Sequence, residues 1–545
     1  MGDSSHSKQI AKGAFWTLAG AGSIKFISFI YVIILARFAP PSIVGTFYLA
    51  LGILGIFEIF ADLGLRSSLS RYVPFFIGKD EKIKLAMLIK IIYTAVIIVS
   101  CCVTIFVFFA SDLVAGYFGD NTADLAIALK LLAPYLIVSM LLSTNTTLLS
   151  ALKDIRRANL FYVFQNFIKL LATVLLFFFL GVTIFSITVG FLISFIFAAI
   201  ISIFYAIPHI KKFLGYSDNS KISFVPFFVE IFSFGLMLTL VSSLSVLISN
   251  IDRIMIGYFI GGEAVAVYTI AATFATIVMI IPSSFTAMFF PLVTELLGKE
   301  KKPEARSICN TSVRWSVFAG IPLAIVLIIF SSSLLRMFYG DAYAIGGNVL
   351  TLFALGLLIR SFTFVHSFVL AGLRLVKLEL KIGILTLFVN LVLNWFLIPL
   401  WGIEGAAVAS AISLIFASLC LIYYTKKVIG FAFPVDSLKA FFAGALALVI
   451  ILFLKPYIGE IITMLPDVGE GVLSEFIFKF FRLLIFGALF AIAGAIYTIV
   501  LFLLRAFNSE DVEILESAMR RAKIPNNFIE LISKIFNYGV GKIHG

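Results

Sequence analysis

Long apolar runs alternate with short polar connectors from one end of the chain to the other. Apolar stretches lie near 13–37, 44–65, 83–109, 125–152, 158–180, 184–208, 228–257 and 264–287. Further stretches lie near 309–331, 345–372, 378–400, 404–425, 436–455 and 473–505. An α-helix rises 1.5 Å per residue, so roughly 20 residues cross a hydrocarbon core about 30 Å thick. Every run is that long, and the pattern predicts an all-α integral membrane protein with about fourteen transmembrane helices. The short alternating strands of a membrane β-barrel are missing from the pattern. Residues 1–12 are polar, and the first apolar run is longer than a signal-peptide core. It is expected to stay in place as a true span.

Composition agrees with the pattern. Of 545 residues, 61% are hydrophobic and 13% charged, and the mean hydropathy is +1.12. A soluble domain needs far more charge to cover its surface. The 41 Lys and Arg outnumber the 29 Asp and Glu, for a net charge of +12. With the N-terminus in the cytoplasm, most of the basic residues fall in inner segments such as 66–84, 153–157, 299–314, 374–381 and the tail from 505. The opposite loops hold acids such as Asp112, Asp120, Asp124, Asp341 and Glu404. This asymmetry sets the orientation, with both termini cytoplasmic and the cell membrane as the expected location. Nucleic-acid binding is excluded, because the basic residues are scattered over inner loops rather than gathered in one domain. The four cysteines, Cys101, Cys102, Cys309 and Cys420, show neither metal-ligand spacing nor a disulfide framework. They are expected to pack as small apolar groups.

The chain also resembles itself at an offset of 221 residues. Phe109-Ala-Ser-Asp-Leu-Val-Ala-Gly-Tyr-Phe-Gly119-Asp120 lies over Phe330-Ser-Ser-Ser-Leu-Leu-Arg-Met-Phe-Tyr-Gly340-Asp341. At the same offset Ser150-Ala-Leu-Lys153 lies over Ala371-Gly-Leu-Arg374, and Gly181 over Gly402. Two six-helix lobes are therefore expected, 1–215 and 222–430, followed by extra helices 13 and 14 over 431–505 and a cytoplasmic amphipathic tail over 506–545. Six spans per copy is even, so both copies enter the membrane with the same polarity. A pseudo-two-fold axis along the membrane normal is expected to relate them.

Two segments carry a family resemblance. Asn250-Ile-Asp252-Arg253-Ile-Met-Ile-Gly257-Tyr258-Phe259-Ile-Gly261, followed by Glu263-Ala-Val-Ala-Val-Tyr268, resembles the seventh-span signature of polysaccharide and oligosaccharide flippases. So does Arg37-Phe-Ala-Pro-Pro-Ser-Ile-Val-Gly45-Thr-Phe-Tyr48, running on to Ala61-Asp62-Leu63-Gly64-Leu65. Their superfamily also holds the lipid II flippases and the multidrug and toxin extrusion pumps. The resemblance spans at least 10–430. It implies a non-enzymatic carrier that moves a polyprenyl- or dolichyl-(pyro)phosphate-linked sugar from the cytosolic to the outer leaflet by alternating access. Membrane lipids are the other expected partner, and a monomer is the expected state.

Ionisable groups inside the membrane are costly and are functional candidates by default. Lys25, Lys169 and Arg360 lie near the middle of their spans and suit a phosphate stripped of water, Arg360 with a planar fork. Lys169 follows Gln165 by one helical turn and shares its face, and packing remains an equal reading for it. Glu58 and Asp62, at i and i+4, are candidates for coupling the cycle to a proton or sodium ion. The alternative for Asp62 is an ion pair with Arg66, one turn on. Asp252 and Arg253 suggest a gate or interlobe pair. Asn390 and Asn394, one turn apart in the eleventh span, suit either sugar hydroxyls or contact between helices. His366 is expected to be packed and hydrogen-bonded. Apart from a coupling cation no cofactor is expected, and no G-x-x-x-x-G-K-[ST] loop signals ATP hydrolysis.

Three other readings stay open from the residues. A drug or small-cation exporter of the same superfamily would need a cavity rich in acids and aromatics. A membrane enzyme acting on lipid-linked sugars would need clustered surface groups, which the short outer loops do not supply. A scaffold without transport activity is the third.

Overall fold

The computed structural model describes residues 2–119, 122–215, 223–373, 375–463, 487–488 and 491–507, with shorter pieces between 511 and 534. Among the described residues there is no strand. The helices are α1 (Gly2–Phe38), α2 (Pro41–Asp62), α3 (Leu65–Gly78), α4 (Lys82–Ala115), α5 (Thr122–Leu132), α6 (Tyr135–Ala151), α7 (Ile155–Leu180) and α8 (Ile184–Leu214). There follow α9 (Phe224–Phe259), α10 (Gly262–Ala275), α11 (Ile280–Gly298), α12 (Lys302–Ile329), α13 (Ser331–Tyr339), α14 (Gly347–Gly372), α15 (Val376–Ile429) and α16 (Val435–Thr463).

Twelve helices among the described residues are long and apolar enough to cross a membrane. The protein is thus a multi-pass membrane protein. The runs at 378–400 and 404–425 both fall within the 54-residue α15, which kinks at Gly402. The run at 436–455 is carried by α16. Of the run at 473–505, residues 473–486 and 489–490 lie outside the described residues, and 491–503 form a shorter apolar helix. The apolar tail positions Phe528, Leu531, Ile532, Ile535 and Phe536 also lie outside the described residues.

Helix boundaries follow local chemistry. Pro41 opens α2 at a position where a missing N–H costs nothing. The hydroxyl of Thr183 caps α8 by accepting from the Ser186 N–H at 3.2 Å. Leu63 and Gly64 are both left-handed, with φ of 42° and 86°, and break the chain between α2 and α3. A Cβ on Gly64 would stand 2.1 Å from the Gly235 carbonyl carbon, so only glycine fits this turn against α9.

The 221-residue spacing reappears in these boundaries. The end of α1 at Phe38 matches the end of α9 at Phe259, and the start of α2 at Pro41 matches that of α10 at Gly262. The start of α7 at Ile155 matches that of α15 at Val376. Gly181 and Gly402, at the matched turn, both have positive φ, 77° and 61°. No residue is inserted or lost between the copies across these landmarks, so position-by-position correspondence holds along α7 and the first half of α15.

The chain forms two compact units. The first comprises Met1–Ala271, Phe338–Gly346 and Val376–Ser413, and the second Ala272–Met337, Gly347–Leu375 and Leu414–Gly545. In the first unit, Leu69, Leu88, Ile89, Ile92 and Met140 form a core between α3, α4 and α6. Alongside it, α7 packs against both α8 and α1. In the second unit α12 is the central helix, packed by α11, α14 and α16.

Candidate functional site

The first unit gathers a polar cluster around Asp252. This carboxylate lies in the last two turns of α9 and is only 3% exposed. From α15, the Asn394 amide donates to its Oδ1 at 2.7 Å and the Asn390 amide to the same oxygen at 3.2 Å. The hydroxyls of Tyr268, from α10, and Ser410, from the second half of α15, both donate to Oδ2. The two amides also meet each other, Asn394 Nδ2 donating to Asn390 Oδ1 at 3.1 Å. Asn394 Oδ1 is buried and has no hydrogen-bond partner. Asp252 therefore stands in a ring of four neutral donors with one spare acceptor beside it.

The kink at Gly402 is what lets one long helix supply three of these groups. Asn390 and Asn394 lie before it and Ser410 after it. The positive φ there turns the second half back towards the first. Oxygen-rich clusters built on unwound or bent helices are where membrane carriers hold small ions.

Asp252 and Arg253 have different hydrogen-bond partners. Successive residues on a helix point about 100° apart. Asp252 faces Asn390 and Asn394, whereas Arg253 Nη1 donates to Asn250 Oδ1 at 3.1 Å and its guanidinium lies 6.0 Å from the Tyr48 ring. The two residues expected as a gate or interlobe pair thus make their hydrogen bonds on two faces of α9. Asn390 and Asn394 are fully buried, and their amides are turned to Asp252 rather than to an open surface.

Lys169 on α7 has a different setting. It is 9% exposed and packs between α7 and α1. Its Nζ donates to Asn166 Oδ1 at 2.9 Å and lies 4.5 Å from the centroid of the Tyr31 ring on α1. Ser28, also on α1, donates to the same Asn166 oxygen at 2.8 Å. Gln165, one turn earlier, donates to Ser194 of α8 at 2.9 Å. Among the described residues no acid pairs with Lys169.

The remaining candidates are spread out. Lys25 on α1 is exposed and has no ion pair among the described residues. Arg360 on α14, in the second unit, is half-buried. Asp62 is held by Arg66, with Nε 2.9 Å from Oδ1. Glu58, one turn earlier, is half-buried and receives a long 3.4 Å hydrogen bond from Tyr135. His366 is buried, with Nδ1 3.2 Å from Cys309 Sγ and the Phe431 ring against it.

Sequence reasoning missed one buried ion pair. Arg314, counted with an inner loop, lies buried in α12 and bonds Asp511 at 2.7 Å. The two are 197 residues apart, and nothing in the pattern joins them. It also missed Tyr268 and Ser410 as partners of Asp252. The Asp252–Asn390 contact itself had a signal. At the repeat offset these two positions match Tyr31 and Lys169, which also touch.

Comparison with known proteins places this geometry in context. Residues 10–297 match the family described as polysaccharide biosynthesis protein, and residues 238–396 match the MatE family. A putative O-antigen transporter of Shigella flexneri is 24% identical over 76% of this chain and 98% of its own length. A probable low-salt glycan biosynthesis flippase of Haloferax volcanii is 26% identical over 76% of this chain and 82% of its own. Among solved structures, the lipid II flippase MurJ in an inward closed conformation is similar with a TM-score of 0.65 at 18% identity, covering 89% of this chain and 98% of that one. An inward-facing multidrug resistance MATE family transporter is similar with a TM-score of 0.63 at 14% identity, covering 75% and 94%. The match over 10–297 takes in more than half of the sequence, and the chain belongs to the polysaccharide biosynthesis protein family.

Proposed function

We propose that this protein is a flippase that carries a lipid-linked oligosaccharide or polysaccharide unit from the cytosolic to the outer leaflet by alternating access, coupled to one monovalent cation. The lipid carrier is a polyprenyl or dolichyl (pyro)phosphate. Family membership and the relatives named as flippases and transporters support the class of cargo. The same names support a carrier rather than an enzyme. The distribution of Lys and Arg supports a cell-membrane protein with cytoplasmic termini. Function as a monomer is part of the proposal.

One observation carries the coupling. Asp252 is a buried carboxylate inside a span whose hydrogen-bond donors, two amides and two hydroxyls, are all neutral. A bare charge at that depth is expensive, and one positive charge, a proton or a sodium ion, neutralises it. The charge count fits a monovalent ion rather than a divalent one. Rotation of the Ser410 and Tyr268 hydroxyls and of the two amides would present four more oxygens, and Asn394 Oδ1 already lacks a donor. Asp62, held by Arg66, is the poorer coupling candidate, and Glu58, bonded by Tyr135, remains the second choice.

Lys25 and Arg360 are the proposed contacts for the phosphate, as cations on long side chains within apolar helices. Membrane potential helps in the required direction. With the interior negative, moving one negative charge outward gains roughly 2.3 kcal/mol per 100 mV.

The test is flipping of a polyprenyl-pyrophosphate-linked oligosaccharide in proteoliposomes, with Lys25→Ala and Arg360→Ala beside the intact protein. The intact protein should flip the lipid, and folded variants should slow at least tenfold. The MatE match and the MATE likeness favour a second reading, a proton- or sodium-coupled exporter of organic cations. If the intact protein leaves the lipid in place and exports organic cations under a cation gradient, that second reading replaces the first.

A further inference from the structure

Two equivalent places in the repeat carry opposite chemistry. At the 221-residue offset Tyr31 corresponds to Asp252, Lys169 to Asn390 and Thr173 to Asn394. The match holds in space as well as in register. Lys169 Nζ lies 4.5 Å from the Tyr31 ring centroid, and Asn390 Nδ2 lies 3.2 Å from Asp252 Oδ1. The same two positions touch in both copies. In the second copy a buried acid accepts from four neutral donors, while the neighbouring Arg253 guanidinium gives its hydrogen bond to Asn250. In the first copy a buried ammonium meets the Asn166 oxygen, itself bonded by Ser28, and the Tyr31 ring, and no acid among the described residues pairs with it.

We propose that Lys169 is a tethered cation, holding permanently in the first repeat the place that a mobile cation takes beside Asp252 in the second. This inference rests on the cation reading of Asp252. An ammonium is a compact monovalent charge on a flexible stem, so it can stand where a bound ion would. Its surroundings suit that role. The Asn166 oxygen accepts from it at 2.9 Å, and the Tyr31 ring offers a negative π face where the second repeat offers a carboxylate. The fixed acid is unnecessary in the first copy because its cation cannot leave. The consequence is a stoichiometry: one exchangeable cation per cycle, bound by the second repeat, while the first is loaded by its own side chain.

Exchanging the two chemistries tests this. Thermal unfolding in detergent is followed while sodium replaces choline at constant ionic strength, and again across pH. The wild type should show a single-site rise in Tm with sodium or with protons. Asn390→Lys puts an ammonium beside Asp252. It should raise the ion-free Tm towards the ion-saturated wild-type value and weaken the sodium or proton response at least tenfold. The double substitution Tyr31→Asp with Lys169→Asn rebuilds the second-repeat pattern in the first. It should add a second cation-binding step, with the limiting slope of unfolding free energy against the logarithm of ion concentration moving from one ion towards two. Lys169→Asn alone removes the tethered charge without supplying an acid and should add no step.

A double variant that folds yet gains no step overturns the inference, as does an Asn390→Lys protein whose Tm and ion response match the wild type. If the wild type responds to neither ion, the coupling reading of Asp252 fails by itself. The tethered cation then stands or falls on whether the double variant acquires a response the wild type lacks. If the double variant does not fold, the ion-free Tm of Asn390→Lys decides.

Discussion

Asp252 in the first unit and Asp511 in the second are both buried acids, 3% and 0% exposed, yet they are satisfied in different ways. Asp511 meets the buried guanidinium of Arg314 at 2.7 Å, a charge-assisted contact between opposite ions. Asp252 meets two amides and two hydroxyls, and none of these partners carries a charge. The first arrangement is closed, because a further cation would find the charge already matched. The second is open to one more positive charge. Burial alone thus says little about whether an acid can bind an ion. The charge on its partners decides.

The comparison breaks most sharply at Arg314. Removing one member of a buried pair strands the other, at a cost of about 3–5 kcal/mol. Arg314→Ala should therefore lower unfolding stability by that amount in a denaturant titration in detergent. Replacing both members with apolar residues of similar size, Arg314→Met with Asp511→Leu, should recover most of the loss. A double variant as unstable as the single one would mean that Arg314 contributes packing rather than charge.

These partnerships were unequally visible in the chain. The spans could be read directly, because length and hydropathy decide what crosses a bilayer. Lys25 and Glu58 could be picked out as polar groups at depth, but their neighbours could not. Asp252 was visible as a costly residue, yet Asn394 is 142 residues away and Ser410 is 158. Helical periodicity gives neighbours three and four positions apart and is silent beyond one element. It set Asp252 beside Arg253 in sequence, whereas helix geometry sends the two to different faces. The repeat offset reaches further, since a contact known in one copy implies its counterpart in the other. It pairs Tyr31–Lys169 with Asp252–Asn390, and it misses Arg314–Asp511, because Asp511 lies beyond both copies.

A smaller effect is expected at Asp252 itself. Asp252→Asn keeps the shape and leaves an acceptor oxygen for two of the four donors. Hydroxyls can rotate and amides can flip to meet the new NH2 group. The loss should be about 1 kcal/mol, the scale of one neutral hydrogen bond. The same variant should lose the rise in Tm with sodium or with protons. A small change in stability with an intact ion response would move the cation site away from Asp252, and Glu58 would then be the next acid to substitute.

The smallest effect belongs to Lys169, and its sign is informative. Its ammonium is held by one amide oxygen and one aromatic face, with no opposite charge. Burying a charge so sparsely partnered is unfavourable, and an apolar side chain of similar length relieves that cost. Against this stand one charge-assisted hydrogen bond and a cation–π contact, together about 2–4 kcal/mol before the cost of desolvation. Lys169→Met also leaves Asn166 Oδ1 a donor, because Ser28 still reaches it at 2.8 Å. The opposing contributions nearly cancel. Lys169→Met should change unfolding stability by less than about 1 kcal/mol, with Tm constant or slightly higher. A neutral result fits a charge retained for the transport cycle rather than for the fold. A loss of several degrees in Tm would instead make Lys169 a structural tie between α1 and α7.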